Sequence, residues 1–181
     1  MKKLLALLLL CALLLPACAL AFENPKTGRS SYSPEPFYGT LKQEMETRMG
    51  PGTEYVHTGF YGKPGDRVKI ISIAYDVNNV SWVQVEVNTP AGKRRLYTGA
   101  KRFDYVDRNA VYVEEWMNIP AHLDSDHTPQ FGPGAGYASC DFWLGKGSPV
   151  TVNDCENGFD LCDFYSGGKR YRVFISDSGL Y

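Results

Sequence analysis

Arg48-Met-Gly-Pro-Gly-Thr-Glu-Tyr55 has a partial copy downstream, Phe131-Gly-Pro-Gly-Ala-Gly-Tyr137. Gly50, Pro51, Gly52 and Tyr55 align with Gly132, Pro133, Gly134 and Tyr137, a constant offset of 82 residues. Proline fixes its own φ and glycine reaches left-handed geometry, so Gly-Pro-Gly forces a turn and gives the following tyrosine a defined place. Any two Gly/Pro turns look alike, so the copy carries weight only if the residues downstream keep step.

They do. After the first loop comes a turn cluster, Gly62-Lys-Pro-Gly-Asp66, then a β-branched run from Val68 through Ile70 and Ile73 to Tyr75. Asp76-Val-Asn-Asn79 signals a hairpin, Trp82 to Val87 alternates as a second strand, and Arg95 to Thr98 makes a third. After the second loop, Gly145-Lys-Gly147 turns into Val150 and Val152, with the Gly-to-Val spacing of the first copy. Glu156-Asn-Gly158, the strand Phe159–Tyr165, the turn at Ser166–Arg170 and the strand Tyr171–Ile175 follow in the same order. Short strands at regular spacing, with Gly/Pro turns between them, predict an all-β chain built by internal duplication. Asp104–Asn118 reads as either a bridging strand or a short helical turn, and Pro120–Gln130 as a polar loop.

The order of Arg48-x-Gly-Pro-Gly-Thr-x-Tyr55, a Gly-containing turn, a Val-x-Ile strand, Trp82-x-x-Val85 and Tyr97-Thr-Gly99 resembles bacterial SH3-like domains. The second copy is degenerate: it lacks the arginine, has Phe159 for the tryptophan and has no closing Gly-Trp. The resemblance implies two small, partly open β-barrels in tandem, one over 38–106 and a degenerate one over 107–181. In many exported bacterial proteins such domains bind peptidoglycan or its peptide stems; relatives bind peptides, metals or other domains, or act as spacers. Fold alone does not choose among these.

Lys2 and Lys3, the 12-residue apolar run Leu4–Leu15 and Ala19-Leu-Ala21 predict a cleaved signal peptide over 1–21, and the run is too short to span a membrane. Leu15-Pro-Ala-Cys18 resembles a lipobox, so lipid anchoring at Cys18 stands as an alternative to soluble secretion. Residues 22–37, rich in Ser, Pro, Gly and Lys, read as a flexible lead-in. Losing Lys2 and Lys3 takes the net charge from −1 to −3, spread unevenly. Gly39–Val106 has 10 basic and 7 acidic residues, and Asp107–Tyr181 has 5 and 11. That balance does not suit a nucleic-acid surface, and it would suit docking of the halves on each other.

Catalysis finds no motif. A papain-like order of Cys before His fails, since Cys140, Cys155 and Cys162 all follow His127; Gly-x-Ser-x-Gly is absent. Asp124, Asp126 and His127 read as a solvated turn rather than a metal site, and no cofactor is expected. Three cysteines in an exported chain predict one intradomain disulfide, its pairing open. A two-residue turn at Asn157-Gly158 would set Cys155 opposite Asp160 and Cys162 opposite Asn153. Aromatics carry the binding expectation: Tyr55, Tyr61, Trp82 and Tyr97 around a groove between the first loop and the hairpin tip, with Tyr137 and Trp143 as candidates in the second copy. Core filling by Trp82 is the competing explanation. The expected function is therefore a non-catalytic exported module that binds peptidoglycan or a wall peptide. The alternative is an interaction, adhesion or spacer module whose partners are other exported proteins.

Overall fold

Gly50 and Gly132 are glycine because a tyrosine ring lies on each. A Cβ at Gly50 would sit 2.2 Å from the Tyr55 ring, and one at Gly132 would sit 2.1 Å from the Tyr137 ring. Gly52 and Gly134 supply the positive φ that turns the chain. Both loops then close alike: Met49 N–H donates to Val56 O and Phe131 N–H to Ala138 O, each at 2.9 Å.

The computed structural model describes residues 37–107, 109–114 and 116–181. The expected leader, Cys18 and the lead-in up to residue 36 lie outside the described residues. Phe37, assigned above to that lead-in, already belongs to a strand.

Eleven strands follow, all short. They are β1 (Phe37–Thr40), β2 (Met45–Arg48), β3 (His57–Gly62), β4 (Arg67–Tyr75), β5 (Ser81–Thr89) and β6 (Gly92–Gly99). Then come β7 (Tyr112–Val113), β8 (Ile119–His122), β9 (Pro149–Glu156), β10 (Phe159–Ser166) and β11 (Lys169–Ser176). The first sheet runs β1-β4-β5-β6-β2-β3, with β7 added in parallel to β4. The second runs β11-β10-β9-β8. The chain is all-β in two sheets, antiparallel but for β7, rather than in closed barrels.

The antiparallel pairings of the first half largely recur in the second, while the parallel β4–β7 pair has no counterpart there among the described residues. Phe37↔Ile70 becomes Ile119↔Val152, and Arg48↔His57 becomes Gln130↔Ser139, each residue shifted by 82. Past the hairpin the shift falls to 77: Glu86↔Arg95 becomes Asp163↔Arg172. The second hairpin is therefore five residues shorter, a tight turn with Asn157 at φ 53° and Gly158 at φ 77°. One expectation is corrected: Ile119–His122, read as part of a polar loop from Pro120, is a strand paired to β9. Of the two readings of Asp104–Asn118, a strand or a helical turn, the strand is found, and it supplies β7 to the first sheet.

Each half buries its own apolar face. Ile70, Ile73, Val83, Val85 and Leu96 centre the first core; Val150, Val152, Val173 and Ile175 centre the second. The loops cross over. Met49, from the first loop, is buried in the second core, and Phe131, from the second loop, packs on both cores. Burial of a side chain such as Met49 contributes roughly 1.5–3 kcal/mol, here to holding the halves together.

The disulfide expectation fails. Cys140, Cys155 and Cys162 are buried, and no disulfide joins them. Cys155 does oppose Asp160, but a bulge between Leu161 and Cys162 sets Cys162 opposite Val152 instead of Asn153, one residue farther from Cys155. Burial pushes the Cys140 thiol up to about 12 and the Cys162 thiol well above its ordinary value.

Candidate functional site

The crossed loops carry their tyrosines into the opposite half. Tyr55 donates its hydroxyl hydrogen to Asp163 Oδ2 on β10 at 2.7 Å, and Tyr137 donates its own to Glu86 on β5. Each acid lies directly across from an arginine on the next strand. Arg172 binds Asp163 through Nε at 2.7 Å and Nη2 at 2.9 Å. Arg95 donates from Nε to the Tyr137 hydroxyl at 2.9 Å and grips Glu156 of the second half with both Nη groups, at 2.6 and 3.0 Å. Backbone bonds repeat the exchange, with Val56 N–H on Arg170 O and Ala138 N–H on Lys93 O. We call each set a latch.

The Tyr55 latch continues inward. Arg170 adds a fourth donor to Asp163 at 2.7 Å, and Trp116 lies over Arg172 at 4.4 Å. Arg172 Nη1 reaches Glu114 at 3.2 Å, and Glu114 also accepts from Ser72 and from Tyr97 at 2.9 Å. Gln84 donates to the Tyr97 hydroxyl at 2.8 Å. Burial raises the Glu114 carboxyl despite the Arg172 charge, and it raises the Tyr55 and Tyr97 phenols; Arg172 stays charged because Asp163 outweighs its burial. This network uses most of its polar atoms on one another, leaving the Trp116 indole N–H and Arg170 Nε without a hydrogen-bond partner among the described residues. It joins halves, and Tyr55 and Tyr97, at 1% exposure each, form no groove wall.

A groove lies between the first loop and the hairpin tip, and of the four aromatics expected around it Trp82 alone is in its lining. It encloses about 760 Å³ among Arg48, Asp76, Trp82, Lys101 and Tyr105. Arg48 is fixed by donating Nη1 to Thr53 O at 3.0 Å and Tyr55 O at 2.7 Å. Asp76 accepts from the Trp82 indole at 3.1 Å and from the Asn78 and Val80 amides at 2.9 Å each. Burial works against its charge, but those three donors outweigh it and hold the carboxyl below the usual range. Trp82 packs on Ala74 and Tyr97 from behind and fronts the groove, so it serves both core and wall. Tyr105, 66% exposed, is the wall that aromatic spacing did not find; it follows the third strand with no periodic signal.

The structure separates the remaining candidates. Tyr61 is exposed beside a smaller hollow with Tyr38 and Glu86. Tyr137 is half-buried in its latch, where burial raises the phenol to about 12. Trp143 stands exposed beside a third hollow, between β8, β9 and β10. Among the described residues, no three His, Cys, Asp or Glu side chains gather as a metal site. No helix of the described residues is long and apolar enough to cross a membrane.

No family model matches the chain, and no curated protein matches it. A solved structure to which it is similar is NlpC1 from Trichomonas vaginalis, at 13% identity and a TM-score of 0.30. The match covers 88% of this chain and 50% of that one, so this chain spans half the length of NlpC1, and a likeness so slight decides neither fold nor activity.

Proposed function

We propose that the chain is an exported, non-catalytic binding module of two SH3-like units, and that the groove beside Trp82 takes a peptide stem of peptidoglycan. The observation that carries this reading is where the groove lies. The longer hairpin Asp76–Val80 builds one of its walls, and the second half lacks those five residues. Three acids, Glu46, Asp76 and Asp104, face three bases, Arg48, Lys101 and Arg102, beside the Trp82 and Tyr105 rings. Such a wall suits an extended peptide that carries both amines and carboxylates. Recurrence of the antiparallel strand pairings supports two copies of one unit. The buried Cys140 and Cys162 thiols, raised by burial, are poor nucleophiles, which supports the non-catalytic reading.

Retention on purified cell-wall sacculi tests the reading. Residues 22–181 should sediment with the sacculi, and Tyr105→Ala with Lys101→Ala should cut retention at least about tenfold. Replacing Tyr55 would be uninformative, because its ring is structural. A protein that stays in the supernatant sinks the proposal.

A further inference from the structure

We infer that the hollow in the second half, walled by Trp143 and Tyr165, is a separate site for a neutral oligosaccharide. It encloses about 520 Å³ between β8, β9, β10 and the Phe142–Ser148 loop. Trp143 is 68% exposed and Tyr165 71% exposed. Two large rings left in water at the rim of one hollow are an uncommon cost for a folded chain, and such places mark binding surfaces.

The loop that carries Trp143 is held in place. The Trp143 indole lies over Gly145, where an added Cβ would come within 3.2 Å of it. Its loop is pinned on both sides. Leu144 and His127 exchange backbone bonds at 2.8 and 2.9 Å, Gly147 N–H donates to Leu123 O at 2.8 Å, and Asp126 accepts from Lys146 N–H at 2.8 Å. Tyr165 lies 5.7 Å from the Arg170 guanidinium. A ligand therefore meets a Trp143 loop whose backbone is already pinned, which lowers the ordering cost of binding.

Charge selects the occupant. No lysine, arginine or glutamate lines this hollow among the described residues, in contrast to the six charges of the first groove. Its one acid, Asp163, already accepts from Arg172, Arg170 and Tyr55. What remains polar is small and neutral or imidazole: Ser148, Thr151, Ser166 and His122. Flat apolar walls with scattered hydroxyl partners and no strong field fit a pyranose, whose C–H face stacks on a ring while its hydroxyls hydrogen-bond around the edge. A charged peptide would find no counter-charge here.

The inference stands apart from the groove of the first half, and a solution titration keeps the two separate. Residues 22–181 are titrated with neutral hexamers of N-acetylglucosamine, of β-linked glucose and of α-linked glucose, following tryptophan emission and heat. At least one should bind saturably, with affinity little changed between low and high salt. Trp143→Ala should weaken it at least about tenfold, Tyr165→Ala by several-fold, and Trp143→Phe, which keeps a ring, least of the three. All three variants should melt close to the parent, since the side chains are exposed. Tyr105→Ala, in the other groove, should leave binding unchanged. Absence of saturable binding by all three sugars overturns the inference, as does affinity that survives Trp143→Ala or is lost in Tyr105→Ala. Capture of an apolar peptide in place of any sugar also overturns it.

Discussion

Tyr55 and Tyr137 leave loops of matching geometry and reach matching acids, yet Tyr55 loses contact with water and Tyr137 keeps some of it. The difference lies in what covers each latch. Residues after Asp107 cross one side of the molecule, where Glu114 bonds to Ile73 O through its amide and Trp116 lies over Arg172. Among the described residues no corresponding segment covers Glu86, which meets Lys69 at 3.2 Å and Lys93 at 3.7 Å. One repeat of the same contact has become a fully buried ionic core, and the other has stayed partly open to water. A connector between two similar units is enough to give their matching residues different electrostatic lives.

Removing Arg172 should widen that contrast most. Arg172→Met leaves Asp163 and Glu114 buried with fewer counter-charges and should cost about 3–5 kcal/mol in urea unfolding, whereas Arg95→Met should cost clearly less. Equal losses would show that burial does not distinguish the latches. Tyr55→Phe comes next: it strips one donor from buried Asp163 while keeping the ring on Gly50, and should cost about 1–3 kcal/mol. Tyr137→Phe, half-buried, should cost about 1 kcal/mol or less in the same assay.

The smallest effect is a slope with pH. At Glu86, burial raises the carboxyl but the Tyr137 and Lys69 donors outweigh it, so the net position is low. Its stabilisation is present above the ordinary glutamate range and is lost as pH falls through the lower folded value. Glu114 has the opposite sign. Its raised carboxyl costs stability as pH rises from the ordinary glutamate value through the folded one. Urea midpoints of Glu86→Gln should therefore fall further below the parent as pH rises, and those of Glu114→Gln should gain on it. Parallel slopes would break the distinction.

Much of this fold was legible from local pattern. Alternation marked β4 to β6 and β9 to β11 because each strand has one face on a core, and the Gly-Pro-Gly offset marked the repeat. Short strands such as β1 and β8 escaped because four residues show little period. The residues of the candidate groove were half legible. Trp82 was named, but Tyr55 and Tyr97 were expected in a groove and lie instead at the junction, since no local pattern says which half a loop residue enters. One signal was available. An acid nine residues before an arginine occurs in both copies, Glu86 with Arg95 and Asp163 with Arg172, and cross-strand pairing of opposite charges makes such spacing meaningful. The bulge at Cys162 left no such trace, and the disulfide expectation fell with it.

The exchanged loops also bear on what can be taken away from this chain. A unit present twice is ordinarily expendable once, since the remaining copy keeps all it needs. Here each copy has placed its tyrosine, and the first its Met49, inside the other. Deleting either would leave the survivor with an uncovered core face and a carboxylate stripped of its phenol. The repeat can no longer be shortened to one: two interchangeable parts have become a single indivisible one.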